Sequence, residues 1–96
     1  MEVNISDIVI STAGRDQGKL FYVIGTEGVY VLIADGKERK LEHPKRKKLK
    51  HVRKVARITS RVADKIQNGD KVLNSELRRD LAEFRRSHRS QNQGGL

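Results

Sequence analysis

The sequence predicts a mainly β fold with a helical C-terminal part, and three observations support this fold class. Short apolar runs rich in β-branched and aromatic residues are separated by glycine-containing turns in residues 1–36. Pro44 and a strongly basic stretch then interrupt the pattern, and apolar residues return at helical spacing in the last third of the chain. The length of 96 residues allows one domain with a single modest core.

Four short segments are predicted to form consecutive antiparallel strands. In chain order they are Ile8–Ile10, Leu20–Ile24, Val29–Ala34 and Lys37–Leu41. A glycine-containing loop at residues 12–18 joins the first two strands, and residues 25–28 form the next turn. Asp35-Gly36 is the two-residue signal for a type I′ hairpin, which leads into the fourth strand.

Pro44 ends this β pattern, because proline has no backbone donor and biases His43 away from helical conformation. We therefore expect a linker or an exposed loop over the basic residues that follow. Apolar and basic residues alternate loosely over His51–Thr59, which predicts a fifth strand that closes a small barrel.

Two helices are predicted after the strands. Thr59 or Ser60 can cap the first helix, and Gly69 supplies the left-handed conformation that ends it. The second helix begins near Asn74 or Ser75 and has one apolar stripe that can dock on the barrel, while its opposite face is rich in arginine. The stripe consists of Leu77, Leu81 and Phe84.

These elements divide the chain into three parts. Residues 1–59 form the barrel with its basic loop, residues 60–87 form a helical extension packed on the barrel, and residues 88–96 form a disordered tail. The tail assignment rests on composition, because this segment has almost nothing to bury.

The composition excludes several classes of protein. The chain has no cysteine, so it has no disulfides, thiolate metal ligands or cysteine nucleophiles, which suits the reducing cytoplasm. Glu2 and Asp7 stand where a secretory signal would be basic, and no run approaches the roughly 18 apolar residues of a membrane span. We therefore expect a soluble, cytoplasmic protein.

The net charge of +9 is concentrated in one segment. Residues 37–61 hold twelve lysines and arginines against two glutamates, whereas residues 1–36 have a net charge of −3. From Lys45 to Arg61 there are nine basic residues and no acidic one. Their mutual repulsion costs stability unless a polyanion relieves it, so we expect a binding role for this run. The alternative is a solvated face or a flexible loop without a ligand, and a nuclear-localisation or heparin-type signal would coexist with a binding role.

No arrangement of residues predicts catalysis, and we expect no enzyme, metal site, cofactor or small-molecule substrate. Residues 11–19 contain two glycines and end in Lys19, but the spacing is one residue short of a phosphate-binding loop. Leu20 also stands where such a loop needs a metal-binding Ser or Thr. His43, His51 and His88 are too scattered for a metal site.

The segment Gly14-Arg15-Asp16-Gln17-Gly18-Lys19, with a strand on each side, resembles the KOW motif of large-subunit ribosomal proteins and of related bacterial RNA-binding proteins. The resemblance extends from Ile5 to His51 and includes Ile33–Gly36 and the basic stretch His43–Lys50. It implies an SH3-like barrel that contacts RNA through its loops, with Gly18 as the family's characteristic glycine. Such a glycine permits positive φ and lets the backbone pass close to a neighbour or a phosphate. Turn geometry alone also explains Gly14 and Gly18.

The function that the resemblance implies is RNA binding, with ribosomal RNA of the large subunit as the expected partner and ribosomal proteins as further partners. A transcription-associated KOW module that contacts RNA polymerase and nucleic acid is the alternative, and a sequence-nonspecific DNA-binding protein is a more distant one. With two Tyr, two Phe and no Trp, phosphate contacts and RNA shape are expected to outweigh base stacking. The basic residues expected to contact RNA are Arg15, Lys19, Arg39, Lys40, Lys45, Arg46, Lys47, Lys48, Lys50, Arg53, Lys54 and Arg57.

Overall fold

The chain folds into five antiparallel strands followed by two helices, in a computed structural model that describes residues 2–57 and 59–94, with side chains described up to Ser87. The strands are β1 (Ile8–Ser11), β2 (Leu20–Glu27), β3 (Tyr30–Ala34), β4 (Lys45–Lys48) and β5 (Val52–Ala56). A 3-10 turn, Leu49–His51, joins β4 to β5, and the helices are α1 (Arg61–Asn68) and α2 (Asn74–Gly94). The predicted fold class, mainly β with a helical C-terminal part, is confirmed.

The strands form one sheet in the order β4-β3-β2-β1-β5, so β4 and β5 are its edges. The 3-10 turn connects these edges and contacts both the β2–β3 turn and the loop after β1. Leu49 N–H donates to the Val29 carbonyl at 2.7 Å, and Thr12 N–H donates to the His51 carbonyl at 2.9 Å. Within the described residues β4 and β5 do not pair with each other, so the hydrogen-bonded ladder is open.

Both faces of the central strands β1, β2 and β3 are buried. Consecutive residues of a strand point to opposite faces, so Ile8 and Tyr22 lie in one apolar cluster while Val9 and Phe21 lie in another. The helix-side cluster consists of Ile8, Tyr22, Ala34, Val62, Leu77, Leu81 and Phe84. The inner cluster consists of Val9, Phe21, Val23, Val31, Ile33 and Val52.

Among the residues whose side chains the structure describes, none from α1 or α2 belongs to the inner cluster. Val3 and Leu49 pack against it, and its buried members all come from the strands themselves. A flat sheet would leave such a face open to water, so its burial requires the sheet to curve around its own side chains. Burial on two sides also explains why the strands appear in the sequence as continuous apolar runs and not as strict alternation.

Both helices begin where the sequence predicts. The Ser60 hydroxyl accepts a hydrogen bond from Ala63 N–H at 3.0 Å and caps α1. Gly69 ends α1 with φ of +74°, in the left-handed region. α2 begins at Asn74, and its predicted apolar stripe docks on the sheet in the helix-side cluster.

A partly buried polar network joins both helices to the sheet. The hydroxyl of Tyr22, on β2, donates a hydrogen bond to the Asp80 carboxylate on α2. The Ser60 hydroxyl donates to the same carboxylate oxygen at 3.4 Å while it caps α1. Burial, together with the neighbouring Asp80 carboxylate, raises the pKa of Tyr22 far above its usual value, so the phenol keeps its proton and remains a donor.

The fourth strand is not where the sequence predicts it. Residues 37–41 form no strand, and the prediction of a hairpin at Asp35-Gly36 is wrong. The Asp35 carboxylate accepts hydrogen bonds from Lys37 N–H and Arg39 N–H, both at 2.9 Å, and stabilises a local loop instead. β4 forms later, inside the basic stretch for which the sequence predicts an exposed loop, because it pairs with β3.

The loop between β3 and β4 packs against the start of α2. The Asn74 side chain accepts a hydrogen bond from Leu41 N–H at 2.8 Å and donates one to Glu42 Oε1 at 2.7 Å. Arg78 donates to the Gly36 carbonyl at 2.6 Å. A Cβ atom at Gly36 would lie 2.2 Å from the Asn74 carbonyl oxygen, so glycine is required for this close approach.

Three further boundaries differ from the predictions. β2 continues through Gly25, where the pairing register shifts, so the turn lies at Gly28-Val29. β5 ends at Ala56, and residue 58 lies outside the described residues. α2 extends to Gly94, so residues 88–94 of the predicted tail are helical, because no proline or glycine interrupts the docked helix before that point. Residues 95 and 96 of the predicted tail lie outside the described residues.

Leu81→Asp is expected to destabilise the whole domain. Leu81 is 3% exposed in the helix-side cluster, and an unpaired charge buried there costs several kcal/mol, roughly 3 or more. Thermal melting followed by circular dichroism measures the change. Ala82→Asp, on the exposed face of the same helix, is the control and should melt like the parent. A Leu81→Asp protein with the parent's melting temperature would show that α2 does not support the sheet.

Candidate nucleic-acid interface

The structure divides the twelve basic residues predicted to contact RNA into two groups. Five hold contacts inside the protein, and they are Lys19, Arg39, Arg46, Lys47 and Lys54. The other seven make no side-chain hydrogen bond or ion pair with a described residue, and they are Arg15, Lys40, Lys45, Lys48, Lys50, Arg53 and Arg57. The second group can bind a ligand without breaking a contact of the fold.

The loop between β1 and β2 is closed by its own backbone. Gly18 N–H donates to the Ser11 carbonyl at 2.8 Å, and Lys19 N–H donates to the Asp16 carbonyl at 2.9 Å. Gly14 and Gly18 have φ of +77° and +86°, which residues with a Cβ atom rarely adopt. A Cβ at Gly18 would meet no atom within 4 Å. Glycine is therefore needed there for its backbone angle and not for the expected close approach to a neighbour within the protein.

Two ion pairs fix this loop to the loop after β3. Arg39 Nη2 lies 3.1 Å from Asp16 Oδ2, and Asp16 is buried. Lys19 pairs with Glu38 at the surface. Their hydrogen bond raises the pKa of Lys19 and lowers the pKa of Glu38, so both groups stay charged. Arg39 and Lys19 therefore position the two loops.

Lys47 and Lys54 also stabilise the fold. Lys47 is 8% exposed, and its Nζ donates to the Ala13 carbonyl at 2.7 Å, which joins β4 to the β1–β2 loop. Lys54 Nζ lies 3.4 Å from Oδ2 of Asp7, whose side chain is fully buried. Asn4 N–H donates to the same oxygen at 2.7 Å, whereas Asp7 Oδ1 has no hydrogen-bond partner among the described residues. Lys54 thus supplies the counter-charge of a buried carboxylate.

Arg46 is held beside the turn between β2 and β3. Its Nε lies 3.1 Å from Glu27 Oε1, and its guanidinium carbon lies 3.8 Å from the centroid of the Tyr30 ring. The ion pair is exposed and contributes little to stability, while the stacked cation adds a contact of about 0.5–1 kcal/mol. Arg46 therefore orders the Tyr30 ring and is partly neutralised by Glu27.

Four unpaired cations follow one continuous segment of the chain. Lys48 ends β4, Lys50 lies in the 3-10 turn, Arg53 lies in β5, and Arg57 follows that strand. All four are exposed. Leu49 lies close to three of these cations. It lines one surface hollow together with Lys48 and Lys50, and it lines a second hollow together with Arg57. We call the four cations the basic turn surface.

The backbone that carries the basic turn surface is fixed on both sides of the turn. β4 pairs with β3, and β5 pairs with β1. Lys48, Lys50 and Arg53 therefore lie on an ordered strand-turn-strand segment and Arg57 follows it, whereas the sequence predicts a linker or an exposed loop for both lysines. An ordered array of cations loses less conformational entropy on binding phosphates than a flexible loop does.

A groove of about 310 Å³ lies between α2 and the loop after β3, and its cations are partly neutralised because Asp35 and Glu38 line it as well. Lys37 and Arg85 line it and are exposed, whereas Lys19 and Arg78 in the same groove already hold contacts within the protein. The sequence predicts no binding role for Lys37 or Arg85. The signal for Arg85 was the arginine-rich face predicted for the second helix.

Two apolar residues beside the basic turn surface are absent from the predicted site. Val29 is 66% exposed at the β2–β3 turn, and Leu49 lies next to it in the 3-10 turn. The sequence pattern places Val29 at the start of the third predicted strand and so does not indicate its exposure. The sequence carries no signal that brings these two residues together.

A comparison with models of known protein families finds no match, and a comparison with curated proteins finds none either. The resemblance to the KOW motif therefore stays a prediction from the residues themselves. In the part of the chain that the structure describes, no helix combines the length and the apolar character needed to cross a membrane.

Gly18→Ala and Gly36→Ala are expected to differ in cost. Both positions have positive φ, at +86° and +78°, so alanine at either costs about 1–2 kcal/mol in backbone strain. At Gly36 the new Cβ would also meet the Asn74 carbonyl oxygen, so this variant should lose more stability. Urea unfolding measures both losses. Equal losses would contradict the close packing at Gly36, and no loss at Gly18 would contradict its need for positive φ.

Proposed function

We propose that this protein is a non-enzymatic RNA-binding protein, and that it binds folded RNA mainly through phosphate contacts of the basic turn surface. The observation that carries the proposal concerns Lys48, Lys50, Arg53 and Arg57. These residues are exposed and form no ion pair with a described residue, although three of them lie on one strand-turn-strand segment and Arg57 directly follows it. Like charges held at fixed positions without acidic partners favour the binding of a polyanion.

We further infer that the curved sheet is an SH3-like barrel of the KOW type. Burial of the inner cluster by strand residues, with Val3 and Leu49 packed against it, supports this inference. The 3-10 turn between the two edge strands supports it as well, since its backbone bonds to both the β2–β3 turn and the β1–β2 loop. The positive φ of Gly18 agrees with the conformation expected of the motif's glycine.

Ribosomal RNA of the large subunit, in the cytoplasm, is the RNA that we propose as the partner. The support is the resemblance of residues 14–19 and their flanking strands to the KOW motif of ribosomal proteins. Folded RNA also presents phosphates in fixed arrays, which suit a rigid cationic surface. A KOW module that contacts RNA polymerase would share this fold, so the experiments must separate the two partners.

The proposal assigns no catalytic step to the protein. A strongly raised pKa is found at Tyr22, but this residue is fully buried and hydrogen-bonded to Asp80 in the helix-side cluster. Perturbed groups that act in catalysis lie in a cleft that a substrate can reach. Tyr22 instead joins the sheet to α2, so its role is structural.

Joint replacement of Lys48, Lys50, Arg53 and Arg57 by glutamine is expected to weaken RNA binding and to leave the fold intact. Each lost phosphate contact should flatten the slope of log affinity against log salt by roughly 0.7 to 0.9, so four contacts change it by about 3. The loss should be similar for RNAs of different sequence, because phosphate contacts do not read bases. Fluorescence anisotropy over a salt series measures the affinity, and circular dichroism checks the fold.

The matched control removes the same number of charges elsewhere on the protein. Lys37, Lys71, Arg79 and Arg85 are exposed and form no ion pair with a described residue. Their joint replacement by glutamine gives the same net charge, and it should keep most of the parent's affinity and slope. Equal losses in the two variants would show that net charge alone drives binding. An unchanged affinity in the first variant would place the binding face elsewhere.

Co-sedimentation with ribosomal subunits is expected for the tagged protein, with the large subunit as its main partner. The variant that lacks the basic turn surface should dissociate from the subunit at lower salt, because it makes fewer phosphate contacts. Recovery with RNA polymerase is measured from the same extract. Recovery with polymerase and not with ribosomal subunits would reject the ribosomal assignment.

A further inference from the structure

The basic turn surface borders an apolar hollow. The hollow has a volume of about 500 Å³ and is lined by Val29, Lys48, Leu49 and Lys50. Ligand sites in proteins commonly have volumes of about 300–1,000 Å³ and combine apolar walls with a few polar groups. We call this site the Val29 hollow.

The apolar part of the Val29 hollow is held in place by the fold. Val29 is 66% exposed, but single exposed apolar residues are common on protein surfaces and do not by themselves indicate a binding site. Here Leu49 N–H donates to the Val29 carbonyl at 2.7 Å, so a backbone hydrogen bond holds the two residues side by side. Leu49 also packs against the inner cluster, which joins the hollow to the core of the sheet.

The cations that line the Val29 hollow are not neutralised within the described chain. Lys48 and Lys50 are exposed and form no ion pair there, whereas the nearby Arg46 is paired with Glu27. An occupant that satisfies this site must present an apolar surface to Val29 and negative charge to the two lysines. A nucleotide has both features, since a flat base is attached to a chain of phosphates.

A second hollow, of about 590 Å³, shares Leu49 with the first. The residues that line it include the aromatic Tyr30, the basic Arg57 and one acidic residue, Glu2. An apolar or aromatic side chain therefore stands beside a cation in two neighbouring hollows. A nucleic acid matches this repetition, because bases and phosphates alternate along its chain. A peptide with one apolar and two acidic side chains could fill only one of the two hollows, so a nucleic acid is the favoured ligand.

We propose that the Val29 hollow binds an unpaired nucleobase of the RNA, with the adjoining phosphates on Lys48 and Lys50. This inference rests on the proposed RNA-binding function and adds a preference for RNA that contains an unpaired nucleotide. Unpaired bases can leave the stack and lie against apolar side chains, whereas the bases of a duplex stay stacked and are out of reach. Because every base has an apolar face, the protein recognises RNA structure with little dependence on sequence.

The test uses the full chain and two RNA hairpins that differ by one nucleotide. One hairpin carries a single bulged uridine, and the other is fully paired in its stem. The parent is expected to bind the bulged hairpin about fivefold more tightly. Val29→Ser removes the apolar contact at an exposed position, so the protein should stay folded while the preference is lost. The salt dependence of binding should not change, because both lysines remain.

Leu73→Ser is the matched control, because Leu73 is 51% exposed and lines neither hollow. This variant should keep the parent's preference. A parent without a preference, or a Val29→Ser variant that keeps it, would overturn the inference and leave the proposed RNA binding in place. A parent that binds neither hairpin would overturn both. Tighter binding of an acidic leucine-containing peptide than of either hairpin would overturn the inference in favour of a protein partner.

Discussion

The burial of β1, β2 and β3 on both faces is the constraint on which the rest of the structure depends. One face is covered by α1 and α2, and the other is enclosed by the curvature of the sheet, with Val3 and Leu49 packed against it. Little of the central strands remains open to a ligand. The exposed cations are therefore found on the edge strands, the turns and loops, and the outer faces of the helices, where a partner can reach them.

The uneven charge along the chain is partly neutralised by folding. Acidic residues of the first, net negative part pair with cations of the basic segment, in the pairs Asp7–Lys54, Asp16–Arg39 and Glu27–Arg46. The exposed pair contributes little to stability, whereas the fully buried Asp7 requires its lysine because a lone buried carboxylate is costly. Lys48, Lys50, Arg53 and Arg57 have no such partner among the described residues, so folding leaves the basic turn surface available for binding.

Much of the fold follows from local sequence patterns, and the remainder depends on contacts between distant segments. Apolar runs predict β1 to β3, and Ser60 and Gly69 predict the ends of α1, because these signals act over a few residues. β4 consists of four basic residues, so no local pattern predicts it, and its conformation comes from pairing with β3. The candidate nucleic-acid interface likewise depends partly on local sequence and partly on contacts between distant segments. The sequence predicts the set of cations, but the internal role of Lys47 depends on the distant Ala13 carbonyl.

The contact between Tyr22 and Asp80 has a consequence for biosynthesis. The two residues are separated by 58 positions, and all five strands leave the ribosome before α2 does. Until α2 emerges, Ile8, Tyr22 and Ala34 lack the apolar stripe of α2 that covers them together with α1, so the nascent sheet exposes part of its apolar face. Contacts between residues so far apart form slowly, and exposed apolar surface during that interval promotes aggregation. We therefore expect stable folding of the strands only after α2 has been translated.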